Sequence, residues 1–333
     1  MQFHPHKKKL LRQMAEGRFR SGAELAETLG ISRTAVWKHL EAFDELGLEL
    51  LRVRGRGYRL AEPLELLDEE TLLAALSVPA RACLAALELH DELDSTNTRL
   101  MQTARETGGH GIVCLAERQS AGRGRSGRNW VSPFAANLYL SVLWRFEEGH
   151  GAAAGISLAV GVAVARAVRR CGLEGVGLKW PNDLLWQERK LGGILVEATG
   201  ESHGPCSVVI GVGLNVHMSA AAGSGIDQPW VDCREVAGRR VSRNQLAAAL
   251  LDELLPLLRD YPATGLARHL PAWREHSCML GRPVVLRLGD ARIHGVAEEV
   301  GADGLLYLRL ENGERRTFAS GEVHLRLAQA GGA

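Results

Sequence analysis

The chain has 333 residues, 46% hydrophobic and 24% charged, with 40 basic and 39 acidic side chains. That length supports about two or three domains with real cores, and the near balance of charge excludes a uniformly basic nucleic-acid coat and an acidic disordered tail. The balance is uneven, however: residues 1–60 carry 12 Lys/Arg against 7 Asp/Glu and the remainder is mildly acidic, which points to two tasks on one polypeptide.

The run Lys7-Lys8-Lys9 is followed by Leu10-Leu11-Arg12-Gln13 rather than by an apolar stretch, so no signal peptide is expected. Leu10, Leu11 and Met14 mark a first helix. Ser21 is placed to cap a second, with Glu24 three residues on as its capping box. Leu29-Gly30-Ile31 makes the turn. Ser32 caps a third helix whose apolar Val36, Leu40 and Phe43 share one face, and Gly47 stops it. Residues 51–54 and 58–60 alternate in type around Gly55-Arg56-Gly57, a hairpin pattern. This order over residues 1–62 predicts a winged helix-turn-helix. Ser32, Arg33, Thr34 and Lys38 would lie on the exposed start of the recognition helix, and Arg52, Arg54 and Arg56 would line the wing and meet phosphates. A helical module for protein contacts is the alternative; the net charge of +5 over residues 1–60 favours DNA.

Ala61-Glu62-Pro63-Leu64 begins a linker. Residues 66–274 read as an α/β body. It is helix-like at 66–87, then strand-like runs at 112–116, 138–143, 194–197 and 208–214 alternate with helices near 153–170 and 243–260. Residues 219–225 have the composition of a mobile loop. From 278 to 330 the character changes to short alternating segments at 284–288, 292–300, 305–310 and 314–318, separated by Gly, Asp and Asn turns, which predicts a small β-barrel. The longest near-apolar run, 155–165, ends at Arg166 and is too short to span a bilayer, so a cytoplasmic protein without a membrane partner is expected. The six cysteines show no CxxC pair and no zinc spacing with histidine, which suits reduced thiols.

Five segments could carry chemistry. Gly122-Arg123-Gly124-Arg125-Ser126-Gly127-Arg128-Asn129-Trp130 has three Arg, three Gly and no acid. Its glycines let the backbone approach a ligand, its arginines offer forked donors to carboxylate or phosphate, and Trp130 offers a flat face. It is neither a Walker A loop nor a Rossmann fingerprint. Lys179-Trp180-Pro181-Asn182-Asp183 holds a lysine and a carboxylate on a proline turn. Lys190 precedes Gly192-Gly193 and a strand, where it could reach a phosphate as a point charge. Gly211-Val212-Gly213-Leu214-Asn215 ends a strand in a group able to donate and accept. Ser95-Thr96-Asn97 is either a set of neutral hydrogen-bonding groups or an ordinary helix cap. Together they imply a site for a molecule with anionic and neutral polar parts; their composition alone does not identify it.

In this order the segments resemble the bacterial biotin–protein ligases. Residues 122–130 resemble that family's GRGRxGRxW loop, 179–183 its KWPND, 190–197 its KLxGILVE, 211–216 its GxGLNV and 95–97 its STN. Ser126 stands where a second basic residue is common, and Gly192 where Ala is common. The resemblance spans nearly the whole chain and includes the N-terminal winged helix of the bifunctional subclass, which also represses the biotin synthesis operon. It implies a class II synthetase-like mixed sheet at 66–274 and an SH3-like barrel at 278–330. It implies an ATP- and magnesium-dependent ligase that makes biotinyl-5′-AMP and passes biotin to a lysine of a carrier protein, with that of acetyl-CoA carboxylase as the natural partner. Biotin would be held by Ser95, Thr96, Asn97, Gln119, Gly122, Arg123, Gly124, Arg125 and Lys190. The adenylate would be held by Arg128, Trp130, Lys179, Asn182 and Asn215. Lys190 and Arg125 would stabilise charge, and Asp183 would orient the incoming carrier lysine or take its proton. No metal ligands are assigned. Adenylate binding would favour a homodimer that places two winged helices on operator DNA. The rivals are a lipoate or octanoate ligase on the same fold, a regulator that only senses biotin, and a ligase whose winged helix no longer binds DNA.

Overall fold

The computed structural model describes residues 2–147, 155–200 and 204–319, and the backbone of 323–327. The N-terminal unit contains α1 (Pro5–Ala15), α2 (Gly22–Leu29), α3 (Arg33–Glu41), β1 (Leu50–Val53) and β2 (Gly57–Leu60). Leu10, Leu11, Met14, Leu25, Leu40 and Phe43 form its core. The Ser21 hydroxyl accepts the Glu24 N–H at 3.1 Å, but the Glu24 carboxylate turns to Arg20 at 2.6 Å instead of closing the box. An arginine charge outcompetes a backbone N–H for that carboxylate. Phe43 lies just beyond α3 yet is fully buried, and Gly47 ends the short 3₁₀ turn Asp44–Leu46 rather than α3 itself.

The linker is strapped down. Leu64 N–H donates to Ala15 O at 3.0 Å, and Leu67 is buried in the central core. The segment read as helical at 66–87 is two short helices and a strand, α4 (Glu69–Ala75), α5 (Val78–Cys83) and β3 (Ala86–His90). Ser77 and Pro79 start α5 afresh, because a cap and an early proline favour a new helix over continuation.

The central unit continues with α6 (Thr96–Thr107), β4 (Ile112–Ala116), β5 (Leu138–Phe146), α7 (Ile156–Arg170), β6 (Gly177–Lys179), β7 (Asp183–Trp186), β8 (Arg189–Gly200), β9 (Cys206–Leu214), α8 (Cys233–Ala237), α9 (Arg243–Thr264) and α10 (Leu270–His276). Its sheet runs β3-β4-β5-β9-β8-β7-β6. β3 and β4 pair in parallel and the other neighbours are antiparallel, so this is the expected mixed sheet. Alternation along the strands divides its two faces. Cys114, Leu143 and Val209 meet Leu100 and Ala104 of α6 on one face. Val113, Val142, Val208 and Ile210 face the larger core that includes α7 and α9.

The C-terminal unit is a single antiparallel sheet of β10 (Pro283–Leu288), β11 (Ala291–Val300), β12 (Leu306–Leu310), β13 (Arg315–Phe318) and β14 (Val323–Leu327), in the order β13-β12-β11-β10-β14. Its inward residues Val284, Leu286, Val300 and Leu306 join the central hydrophobic core. Among the described residues, no helix is long and apolar enough to cross a membrane.

Candidate functional site

A cavity of about 360 Å³ lies where the start of α6, the 119–130 loop, β5, the 179–183 turn, β8, β9 and residues 227–229 meet. Ser95, Thr96, Asn97, Gln119, Arg123, Gly124, Arg125, Arg128, Trp130, Lys179, Asn182, Asp183 and Lys190 all line it. Five segments scattered over the sequence thus share one space.

One end is neutral and hydrogen-bonded. Ser95 occupies the N-cap position of α6, but its side chain makes no capping bond. Thr96 donates its N–H at 2.9 Å and its hydroxyl at 3.2 Å to Gln119 Oε1. Gln119 Nε2 donates to Ser132 Oγ at 3.2 Å, and Ser132 donates on to Trp130 O at 3.0 Å. On β5, the buried Ser141 Oγ lies 2.7 Å from Thr96 Oγ1 and 2.6 Å from Asn97 Oδ1. Asn97 Nδ2 donates to Glu197 Oε2 at 2.8 Å. Such a network locks the orientation of each member before any ligand arrives. Ser132, in the loop before β5, and Ser141, within β5, carry no signal in the sequence, because an isolated serine is common in both settings.

The other end is charged. Asp183 stands between two lysines, with Lys190 Nζ at 2.7 Å from Oδ1 and Lys179 Nζ at 2.9 Å from Oδ2. Burial pushes the Asp183 carboxyl up, but the Lys190 and Lys179 charges outweigh it and bring the pKa down to about 2. A carboxylate held so low orients a lysine well and removes a proton poorly. Arg125 reaches Asn182 Oδ1 at 3.4 Å; burial lowers its pKa against the pull of Asp183. Arg123 pairs with Glu197 at 3.3 Å and donates to Thr98 Oγ1 at 3.1 Å. Asn182 is itself tied to β8, its Nδ2 donating to Ile194 O at 2.7 Å.

The position of Lys190 depends on a bulge. Leu185 pairs with Lys190 but Leu184 pairs with Gly192, so Leu191 is an extra residue in β8. A bulge of this kind re-aims a side chain. Here Lys190 Nζ lies 3.6 Å from where a Cβ on Gly193 would stand. The Lys190 backbone is pinned by Pro229 O and by Val231 N–H, at 2.9 and 3.0 Å. Lys190 Nζ also lies 5.6 Å from the centre of the Trp130 ring.

Two glycines of β9 make room for the ligand-facing groups. A Cβ at Gly211 would stand 2.2 Å from Asn97 Oδ1, and one at Gly213 would stand 2.7 Å from the Trp130 ring. Two expected contact residues lie behind the wall. Asn215 does not line the cavity; it is buried and its Nδ2 donates to Lys190 O and Val231 O at 3.3 and 3.1 Å. Gly122 also stands back, its carbonyl accepting the Trp130 N–H at 2.9 Å. Residues that end a motif can serve to hold its register, and sequence alone does not separate that role from contact.

One cluster among the described residues, Glu88, His90 and Cys114, gathers three metal-ligand atoms within 4.8 Å. Arg99 already pairs with both Glu88 oxygens at 2.9 and 3.1 Å, and burial pushes the Cys114 thiol up. That combination disfavours a cation.

On the N-terminal unit, Ser32, Arg33, Thr34, Lys38, Arg52, Arg54 and Arg56 are all exposed. Arg33, Thr34, Arg52 and Arg54 line a second, wider concavity between α3 and the hairpin. Arg56 instead lies 4.3 Å from the centre of the Phe19 ring.

A helix-turn-helix unit with an exposed basic face, joined to a mixed-sheet domain whose cavity combines neutral hydrogen-bonding groups with a cluster of cations, is the architecture of a regulator fused to an anion-handling enzyme. The sequence profile of the biotin/lipoate A/B protein ligase family matches residues 90–215, that of an HTH domain residues 6–59, and that of a biotin protein ligase C-terminal domain residues 279–326. The bifunctional ligase/repressor BirA of Escherichia coli K12 is 41% identical over 96% of this chain and 97% of its own length. A biotin–[acetyl-CoA-carboxylase] ligase of Paracoccus denitrificans is 34% identical over 69% of this chain and 96% of its own. The solved biotin protein ligase of Aquifex aeolicus, in complex with biotin and ATP, superposes with a TM-score of 0.62 at 26% identity, covering 74% of this chain and 100% of its own. The chain belongs to the biotin protein ligase family, in its form with an N-terminal helix-turn-helix.

Proposed function

We propose that this protein is a biotin protein ligase that also acts as a biotin-responsive repressor. It activates biotin with ATP to biotinyl-5′-AMP and transfers biotin to a lysine of a carrier protein, that of acetyl-CoA carboxylase. The observation that carries this reading is the asymmetry of the cavity. Lys190, Lys179 and Arg125 converge on one end, with Asp183 as their nearby carboxylate, beside the neutral end built from Ser95, Thr96 and Gln119. Two anions, a carboxylate and an α-phosphate, must meet in the first step, and they repel unless cations lie between them. The neutral end suits the uncharged ureido ring of biotin.

In the first step, Lys190 and Arg125 hold the carboxylate and α-phosphate oxygens together while pyrophosphate leaves. Arg123, Gly124 and Asn97 position the biotin side. Trp130 packs on the adenylate, with Arg128, Lys179 and Asn182 beside it. Asn215 and Gly122 act by holding the backbone of Lys190 and of Trp130. In the second step, the carrier lysine attacks the acyl carbonyl and AMP leaves. Asp183 orients that amine; its low pKa leaves proton removal to the solvent or the departing phosphate. Magnesium arrives on ATP. Of the carboxylates lining the cavity, Asp183 is already held by two lysines; a magnesium ion accompanying ATP would offset phosphate charge there.

The reading divides the chain into a DNA-binding domain at 1–62, a catalytic domain at 66–274 and an SH3-like domain at 278–330. Adenylate binding promotes a cytoplasmic homodimer, which places two winged helices on a two-fold operator near biotin synthesis genes. Intact-mass spectrometry of an apo carrier domain incubated with the protein, biotin and MgATP should show one added biotinyl group, absent with Lys190→Ala. An unmodified carrier despite tight biotin binding would leave a sensor without ligase activity. Adenylate should also raise the sedimentation coefficient and the affinity for promoter DNA together; no change in either would refute the repressor reading.

A further inference from the structure

The recognition helix carries an exposed tryptophan that the reading above does not use. Val36 and Leu40 of α3 are 1% and 0% exposed and face the core, whereas Trp37 is 43% exposed. Trp37 follows Arg33 by one turn, so the two share the outward stripe. Across the cleft, Val53 at the end of the first wing strand is 41% exposed. Both line one concavity of about 750 Å³, together with Thr34, Arg33, Arg52 and Arg54. Among the described residues the exposed large apolar groups are Trp37, Val53 and Val78, and two of the three share this cleft.

The charges around them are uncommitted. Among the described residues, Arg33, Arg52 and Arg54 have no carboxylate within ion-pair distance, unlike Arg20, which Glu16 and Glu24 both hold. An apolar floor walled by free guanidinium groups repels a basic surface. It complements a polyanion that also offers apolar groups at the depth of a helix. The major groove of DNA does so through the C5-methyl of thymine. A protein partner would need an acidic rim around an apolar knob; a duplex presents phosphates along its whole length and a methyl group at each thymine.

We propose that Trp37, supported by Val53, reads thymine methyl groups in the major groove, so that the operator of this protein favours thymine at the positions facing α3. This rests on the DNA-binding reading above. It adds a base-specific apolar contact to phosphate contacts that are blind to sequence.

The test separates the two. The full-length protein with biotin and MgATP is used to enrich binding duplexes from a random pool. Each thymine of the winning site is then replaced by uracil, which removes only the methyl group. Binding should weaken about fourfold for each methyl that Trp37 covers, the effect of burying one such group. Trp37→Ala should bind the thymine and uracil forms equally at those positions. Trp37→Phe should retain part of the difference, and the thermal melts of the variants should match the parent. If uracil is tolerated at every position, or if Trp37→Ala keeps the full thymine preference, the assignment fails while DNA binding stands. If no sequence is enriched, both fall.

Discussion

Asp183 shows how much one side chain is governed by its neighbours. As an isolated turn residue in KWPND it would titrate near 4, and the sequence left open whether it orients a lysine or takes a proton. Its two lysine partners hold it at about 2. Its contribution to folding is therefore present above the unfolded value near 4 and fades as pH falls from about 4 to about 2. Urea unfolding of the protein and of Asp183→Asn should differ by about 2 kcal/mol at neutral pH. The two curves should converge toward pH 2; a gap that persists there would mean that the stabilisation is not ionic. Arg243 makes a complementary point. It is fully buried, and it bonds Glu117 Oε2 and Glu65 O at 2.7 Å each and Asn137 O at 3.0 Å. Nothing in its sequence setting, at the start of a predicted helix, marks it as a junction between the linker, β4 and α9. A buried arginine is found from its partners, and those lie 106 to 178 positions away.

At the scale of elements, the glycine patterns were legible as motifs while their reasons were not. Gly213 reads as a glycine near the end of a strand; in the structure it is the space that Trp130 occupies. Gly213→Ala should displace that indole. Because small displacements of positioning groups cost about a hundredfold, biotinyl-AMP formation should fall by that order while the fold persists, as measured by pyrophosphate release and far-UV circular dichroism. An unchanged rate would show that Trp130 does not pack on the adenylate. In the hairpin, Gly57 has φ of +96° and a Cβ there would lie 2.1 Å from Arg20 O. Gly57→Ala should therefore cost about 1–3 kcal/mol of local stability. Faster amide exchange should be confined to the N-terminal unit; protection equal to the parent would refute the strain. The Lys190 bulge belongs to this scale too. Its single extra residue is invisible to a pattern of period two, because the partner strand decides where pairing slips.

Across the whole molecule, the three units are packed rather than strung together. Phe134 and Ala135 of the central unit sit within the hydrophobic cluster of the helix-turn-helix, and the Phe3 ring lies tilted against Phe134 with ring centres 5.6 Å apart. Asp91 accepts the Phe3 N–H at 2.8 Å and pairs with Lys8 at 3.1 Å. Phe134 follows Trp130 by four residues, so the cavity loop leads directly into the DNA-binding unit. Phe134→Ala should lower stability by about 3–5 kcal/mol and split calorimetric unfolding into two transitions; a single transition at the parent temperature would mean that the contact does not couple the units. At the other end, the Trp180 indole donates to Gly304 O at 3.1 Å, so the C-terminal sheet buttresses the 179–183 turn.

The chain by itself determined the order of domains, the helix-turn-helix with its basic face and four strands of the catalytic segment, from local signals: caps, periodicity, turn glycines and charge density. Together with the family resemblance it also named the fifteen expected catalytic, biotin and adenylate residues, thirteen of which line one cavity. Only the tertiary structure decided that Gly122 and Asn215 stand behind the wall, that Ser132 and Ser141 complete the polar network, that Asp183 is shared by two lysines, and that Trp37 and Val53 line one cleft. Each of those facts depends on the distance between residues remote in the chain, or on one residue of strand register, and neither quantity is encoded locally.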